Sequence, residues 1–187
     1  AASAYGSDIP IACVGIISKV NMVFLSICIG ISQGSQPIWG FNYGAGKYDR
    51  VRKTYRYSVT ACTIIATVFF LCFQFFPHQI VGLFGTGSDL YFQFAERYLR
   101  IFMFLTFANG IQPMSAGFFT SIGEAKLGII MSLTRQLVFL LPPIVILPLF
   151  IGIDGVMYAG PIADTAAFIL AIVFAKRELA KMKQAET

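Results

Sequence analysis

Long apolar stretches alternate with short polar loops along this chain. Residues 20–46, 57–88 and 101–123 contain no Asp, Glu, Lys or Arg. Two further stretches, 127–153 and 155–175, hold one charge each, Arg135 and Asp164. About 20 apolar residues in helix cross the hydrocarbon core of a bilayer. Lipid offers no partner to an open peptide group, so each stretch is expected to be a helix. The pattern predicts an all-α, polytopic transmembrane helical bundle of about five membrane-spanning helices, over residues 9–36, 57–76, 91–122, 127–150 and 155–176, with a polar tail at 177–187.

Breakers set the expected boundaries. Pro10 suits a first helical turn. Pro37 and the glycines of 40–46 predict a loop, and 47–56 an amphipathic basic segment on the membrane surface. Pro77 is expected to stop the second helix. An outside loop rich in breakers follows (Gly82, Gly85, Gly87), with Ser88 or Asp89 capping the third helix. That helix exceeds a span and is expected to tilt or protrude. Pro142, Pro143 and Pro148 are expected to distort the outer half of the fourth.

Composition agrees: 57% of residues are hydrophobic and 12% charged, against roughly a quarter charged in soluble domains. Mean hydropathy is +0.73. Ten of the Lys and Arg residues fall in 47–56, at Lys126 and in 176–183, while the opposite loops hold Arg97 and Arg100. The positive-inside rule then places the tail in the cytoplasm and the first residues outside, in the cell membrane. Basic residues that flank spans argue against nucleic acid as a partner. Cys13, Cys28, Cys62 and Cys72 lie in apolar stretches without a CxxC, as buried small hydrophobes do. His78, the one histidine, is read as a loop residue. The chain begins Ala1-Ala2-Ser3 without an initiator Met and is expected to be part of something longer.

Polar groups inside spans are the candidate functional residues. Asn21, Gln33, Gln36, Asn109, Gln112 and Gln136 are neutral amides suited to a hydrated cavity that accepts varied cations, or to interhelical hydrogen bonds. Asp164 is a candidate cation or proton site, or the structural partner of Arg135. Arg135 is expected to pair or snorkel, outside any path for cationic solutes. Lys19 snorkels or faces the interior. Phe104, Phe107 and Phe118 are candidate cation–π surfaces. Gly34-Ser35-Gln36-Pro37-Ile38 echoes Gly110-Ile111-Gln112-Pro113-Met114. Proline leaves a carbonyl free one turn back, which the neighbouring amide can satisfy. The echo reads as a repeat around a central site, or as two independent kinks.

The run Gly30-Ile31-Ser32-Gln33-Gly34-Ser35-Gln36-Pro37-Ile38-Trp39-Gly40-Phe41-Asn42-Tyr43-Gly44-Ala45, with the basic segment after it, resembles a signature of the multidrug and toxic compound extrusion (MATE) family. Ile122-Gly123-Glu124-Ala125-Lys126, Ser132-Leu133-Thr134-Arg135-Gln136 and Gly160-Pro161-Ile162-Ala163-Asp164 resemble the later turn and helices of that family, in order. The resemblance implies twelve helices in two six-helix lobes that exchange sodium ions or protons for organic cations. This chain would be the second lobe without its first helix. The acidic residues most often tied to coupling would lie in the absent part, so the missing first lobe is an expected partner, with the lipid bilayer and organic cations. The resemblance implies no cofactor beyond the coupling ion.

Gly44-Ala45-Gly46-Lys47 lacks the spacing of a phosphate loop, so an ion gradient is the expected energy source. No Ser/His/Asp set or H-E-x-x-H occurs, which argues against an enzyme. Two alternatives stand beside the antiporter: a flippase for lipid-linked oligosaccharides of the same superfamily, and a non-transporting membrane module.

Overall fold

A computed structural model describes residues 8–84, 87–152 and 154–185. They form α1 (Asp8–Gly44), α2 (Tyr48–Phe75), α3 (Pro77–Phe84), α4 (Asp89–Phe102), α5 (Thr106–Asn109), α6 (Ile111–Ser121), α7 (Ala125–Leu133), a π-helical segment (Thr134–Leu140), α8 (Leu141–Ile151) and α9 (Asp154–Gln184). No strand occurs among the described residues. Four continuous helical runs are long and apolar enough to cross a bilayer: Ala12–Gly44, Tyr48–Phe75, Ala125–Ile151 and Asp154–Gln184. The third predicted span, α4 to α6, is broken and lies at the centre. Its α6 packs on α1, α7 and α9, and its α5 on α2 and α9. The chain is a multi-pass helical membrane protein.

Several boundaries differ from those expected. Helix α1 runs through Pro37 to Gly44, so most of the expected loop at 40–46 is helical. One missing backbone bond is offset by packing, because Trp39 is fully buried and Asn42 Nδ2 donates to the Ile38 carbonyl at 2.8 Å. Gly40 serves close approach here, since a Cβ would sit 2.9 Å from the Ser121 carbonyl oxygen. The turn comes later, at Gly46, with φ 68°. At 37 residues, α1 is about 55 Å long, well beyond a hydrocarbon core.

The basic segment 47–56 is no separate surface element. It forms the first turns of α2, where Val51 and Tyr55 turn inward and are buried. The expected outside loop contains α3, which Pro77 starts and where His78 lies. His78 Nδ1 sits 2.7 Å from Glu96 Oε1 on α4. Ser88 caps α4 by accepting from the Tyr91 amide at 3.4 Å.

The expected single helix at 91–122 is three. The first break, after Phe102, has no Gly or Pro; Thr106 Oγ1 donates back to the Met103 carbonyl at 2.6 Å and closes a local turn. The second falls at Gly110, three residues before Pro113. In the fourth span the distortion precedes the prolines. Each proline ring crowds the carbonyl four residues earlier. Pro142 and Pro143 thus act on Val138 and Phe139, inside the π-helical segment Thr134–Leu140. Helix α9 continues past residue 176 to Gln184 because Glu178 and Met182 are buried.

Two apolar clusters fill the interior. One, toward the end with the 45–47 turn, joins Phe24, Trp39, Tyr55, Phe118, Met131 and Met182. The other, toward α3, joins Ile17, Phe73, Val81, Tyr91, Tyr98 and Met157. Large apolar side chains such as Phe41, Leu83, Leu149 and Phe150 remain exposed, as expected where lipid is the solvent.

Candidate functional site

A cleft of about 330 Å³ opens between α1, α6 and the junction of α7 with the π-helical segment. Helix α1 contributes Leu25, Ile29, Ser32, Gln33 and Gln36. These recur at intervals of three or four, so one face of the helix presents them all. Helix α6 contributes Gln112, Ala116 and Thr120, at i, i+4 and i+8, together with Pro113 and Gly117. Ser132, Arg135 and Gln136 complete the wall. Four of the six amides singled out in the sequence therefore meet in one place.

Short contacts hold the walls at this distance. Ser32 Oγ donates to the Pro113 carbonyl at 3.1 Å, tying α1 to α6. Gln112 Nε2 donates to the Met131 carbonyl at 3.4 Å, tying α6 to α7. The Gln112 amide thus serves the next helix rather than a carbonyl of its own. Gly117 is where α1 comes closest: a Cβ there would collide with Ser32 Oγ and stand 2.9 Å from Gln36 Nε2. Behind this contact, Ser35 and Ser58 hydroxyls meet at 2.8 Å, as do Tyr55 and Ser115.

Among the described residues, Arg135 is the one ionisable side chain on the cleft wall, contrary to the expectation that it stands clear of the cavity. Its position is tolerable because the charge is compensated. Its Nε and Nη2 both donate to Asp164 Oδ1, at 3.2 and 2.8 Å. Asn109 Nδ2 donates to the other carboxylate oxygen at 3.0 Å. Asp164 lies on α9 and is 5% exposed. Three elements therefore meet at one carboxylate: the π-helical segment, α9 and the end of α5. Losing one partner of such a pair costs roughly 3–5 kcal/mol.

Other candidates lie elsewhere. Asn21 is half-buried on α1, away from the cleft, with its carbonyl oxygen unpartnered. Asn109 faces Asp164, and its own oxygen is also unpartnered. Lys19 is exposed on α1. Phe104 and Phe107 pack on Phe70, and Phe118 is sealed against Trp39 and Tyr55, so none of the three lines the cleft. Ser32, Gly117, Thr120 and Ser132 were missed. Ser32 and Ser132 lie four residues before Gln36 and Gln136, and Thr120 eight after Gln112, which was the available signal; Gly117 had none. No trio of His, Cys, Asp or Glu placed to hold a metal occurs among the described residues.

The model of the family described as MatE matches residues 1–146. The chain belongs to the MatE family. Multidrug export protein MepA of Staphylococcus haemolyticus is 26% identical to it over 146 residues, 78% of this chain and 32% of that protein. Probable multidrug resistance protein YoeA of Bacillus subtilis is 26% identical over 182 residues, covering 89% of this chain and 37% of its own length. Among solved structures, the MATE multidrug transporter DinF-BH in complex with R6G superposes with a TM-score of 0.82 at 35% identity, over 92% of this chain and 39% of that one. An outward-facing MATE family transporter of the MOP superfamily gives 0.88 at 18% identity, over 96% and 41%, a likeness of fold alone. The chain thus spans about a third to two-fifths of the length of these MatE relatives. Its family and fold are those of a membrane transporter.

Proposed function

We propose that this chain forms most of the second lobe of an ion-coupled antiporter that exports organic cations across the cytoplasmic membrane. The observation that carries the reading is the cleft itself. In a bundle solvated by lipid, four glutamines and three hydroxyl side chains line one cavity whose only ionisable group is already paired. Neutral amides offer weak, rearrangeable hydrogen bonds, which suits solutes of varied shape. MepA and YoeA are named for multidrug export and resistance, and DinF-BH was solved with R6G.

In this reading the remaining polypeptide supplies the other lobe and the wall facing the cleft. A sodium or proton gradient drives exchange, the tail after α9 is cytoplasmic, and no covalent step occurs. The flippase alternative has one feature in its favour, a guanidinium on the wall. The Asp164 carboxylate offsets that charge, which leaves an anionic headgroup little net attraction.

The test is R6G transport by the full-length protein in proteoliposomes under imposed sodium and proton gradients. Transport is expected to follow one gradient, to stop when both are collapsed, and to need no ATP. Gln36→Leu with Gln112→Leu is expected to lower it about tenfold, since two buried-site hydrogen-bonding groups are removed. R6G flux that follows ATP, or flux untouched by both substitutions, would overturn the proposal.

A further inference from the structure

Asp164 does not line the cleft, yet the only charge that does line it rests on Asp164. Both donor contacts from Arg135 go to Oδ1, and Asn109 holds Oδ2, so the carboxylate is oriented from two sides. Asp164 and Asn109 are buried and Arg135 is partly so: the Arg135 side chain is 12% exposed and that of Asp164 6%. We infer that Asp164 sets the charge preference of the cleft by cancelling the Arg135 guanidinium, so that cations are admitted past a permanently charged wall residue. Asp164 is in these terms a positioning and compensating residue and touches no solute. The inference rests on the reading of the cleft as part of the solute path.

Sign and distance decide the effect. An uncompensated unit charge several ångströms from a bound cation, at an effective dielectric of about 20, weakens its binding roughly tenfold or more. The same charge favours an anion. A carboxylate within 2.8 Å reduces the far field of the guanidinium to that of a dipole, which falls off much faster with distance. Arginine cannot escape the problem by losing its proton. The bundle therefore needs a fixed counter-charge, and Asp164 is the only acidic residue between 155 and 175.

The experiment measures equilibrium binding of R6G, as the cation, and fluorescein, as the anion, to the purified full-length protein in detergent. The readout is the ratio of the two affinities, which a purely structural defect would not shift. Asp164→Asn is expected to move that ratio about tenfold toward fluorescein, the size set by an unpaired charge. The double variant Arg135→Gln/Asp164→Asn removes both charges and is expected to return the ratio to within about threefold of the unaltered protein, as coupled sites do. A folded Asp164→Asn protein with an unchanged ratio would overturn the inference. So would a double variant that keeps the shift, because Asp164 would then be attracting the cation directly. If Asp164→Asn does not fold, Arg135→Gln takes its place: with the carboxylate left uncompensated the ratio is expected to move toward R6G, and an unchanged ratio overturns the inference. Gln36→Leu separates the two proposals. Unchanged affinity for both dyes removes the cleft from the solute path and overturns the reading beneath the inference. Weakened binding together with an unmoved ratio in Asp164→Asn overturns the inference only.

Discussion

The chain writes a Gly-x-Gln-Pro run twice, and the two copies fold differently. Around Pro37, α1 continues unbroken for seven more residues to Gly44. Around Pro113 the helical hydrogen-bond ladder is interrupted at Gly110, whose backbone angles stay helical, and α6 starts afresh. The prolines are therefore not the cause of the difference. What surrounds the glycine three residues upstream is. A Cβ at Gly34 would meet nothing within 4 Å. At Gly110 it would stand 2.6 Å from Cys62 Sγ and 3.6 Å from Cys28 Sγ. Two neighbouring helices press on the second copy, and Cys62 Sγ donates to the Gly110 carbonyl at 3.5 Å. Surroundings, more than local sequence, decide whether a Gly-x-Gln-Pro run bends. Both glutamines nevertheless reach the same cleft.

Substitutions in the full-length protein, followed by thermal unfolding in detergent, sharpen this contrast. Gly110→Ala is expected to be the most damaging, at roughly 1–3 kcal/mol for overpacking. Cys62→Ala in the same chain should recover most of it, because the backbone at Gly110 is already helical, with φ −67° and ψ −23°. A Gly110→Ala protein as stable as the parent would break the comparison. Gly117→Ala comes next, at roughly 1–2 kcal/mol, since its methyl would displace the Ser32 hydroxyl from the Pro113 carbonyl. Ser32→Ala alone removes only that hydrogen bond and is expected to cost about 0.6 kcal/mol. It should also relieve Gly117→Ala, so the two effects will fall short of adding. Gly34→Ala is the mildest. It should be neutral or stabilise by up to about 0.5 kcal/mol, because alanine is the better helix former. A loss as large as that at Gly110 would instead mean that the remaining polypeptide packs against Gly34.

The same contrast explains what could be read ahead of the structure. Five apolar stretches and the asymmetry of Lys and Arg are properties of solvent and chain length alone, so helices and membrane were legible. The rims of the cleft were half legible: Gln112, Ala116 and Thr120 share a face by spacing, but nothing in the spacing says that α1 is the opposite wall. Arg135 and Asp164 were visible as the lone charges of their spans. Their relation to the cavity was not, because it depends on the π-helical segment, whose extra residue per turn rotates every side chain after Leu133. The break after Phe102 was illegible for another reason: no Gly or Pro marks it, and a threonine hydroxyl makes the turn.

The end of α9 packs back into the bundle. Met182, 2% exposed, belongs to the same cluster as Trp39 and Tyr55. Glu178 is also buried, with its carboxylate 2.8 Å from Lys181 Nζ. What looks in the sequence like a disposable hydrophilic end is a plug seated among aromatic rings. Trimming the polypeptide back to Lys176 would remove Glu178 and Met182 from that packing.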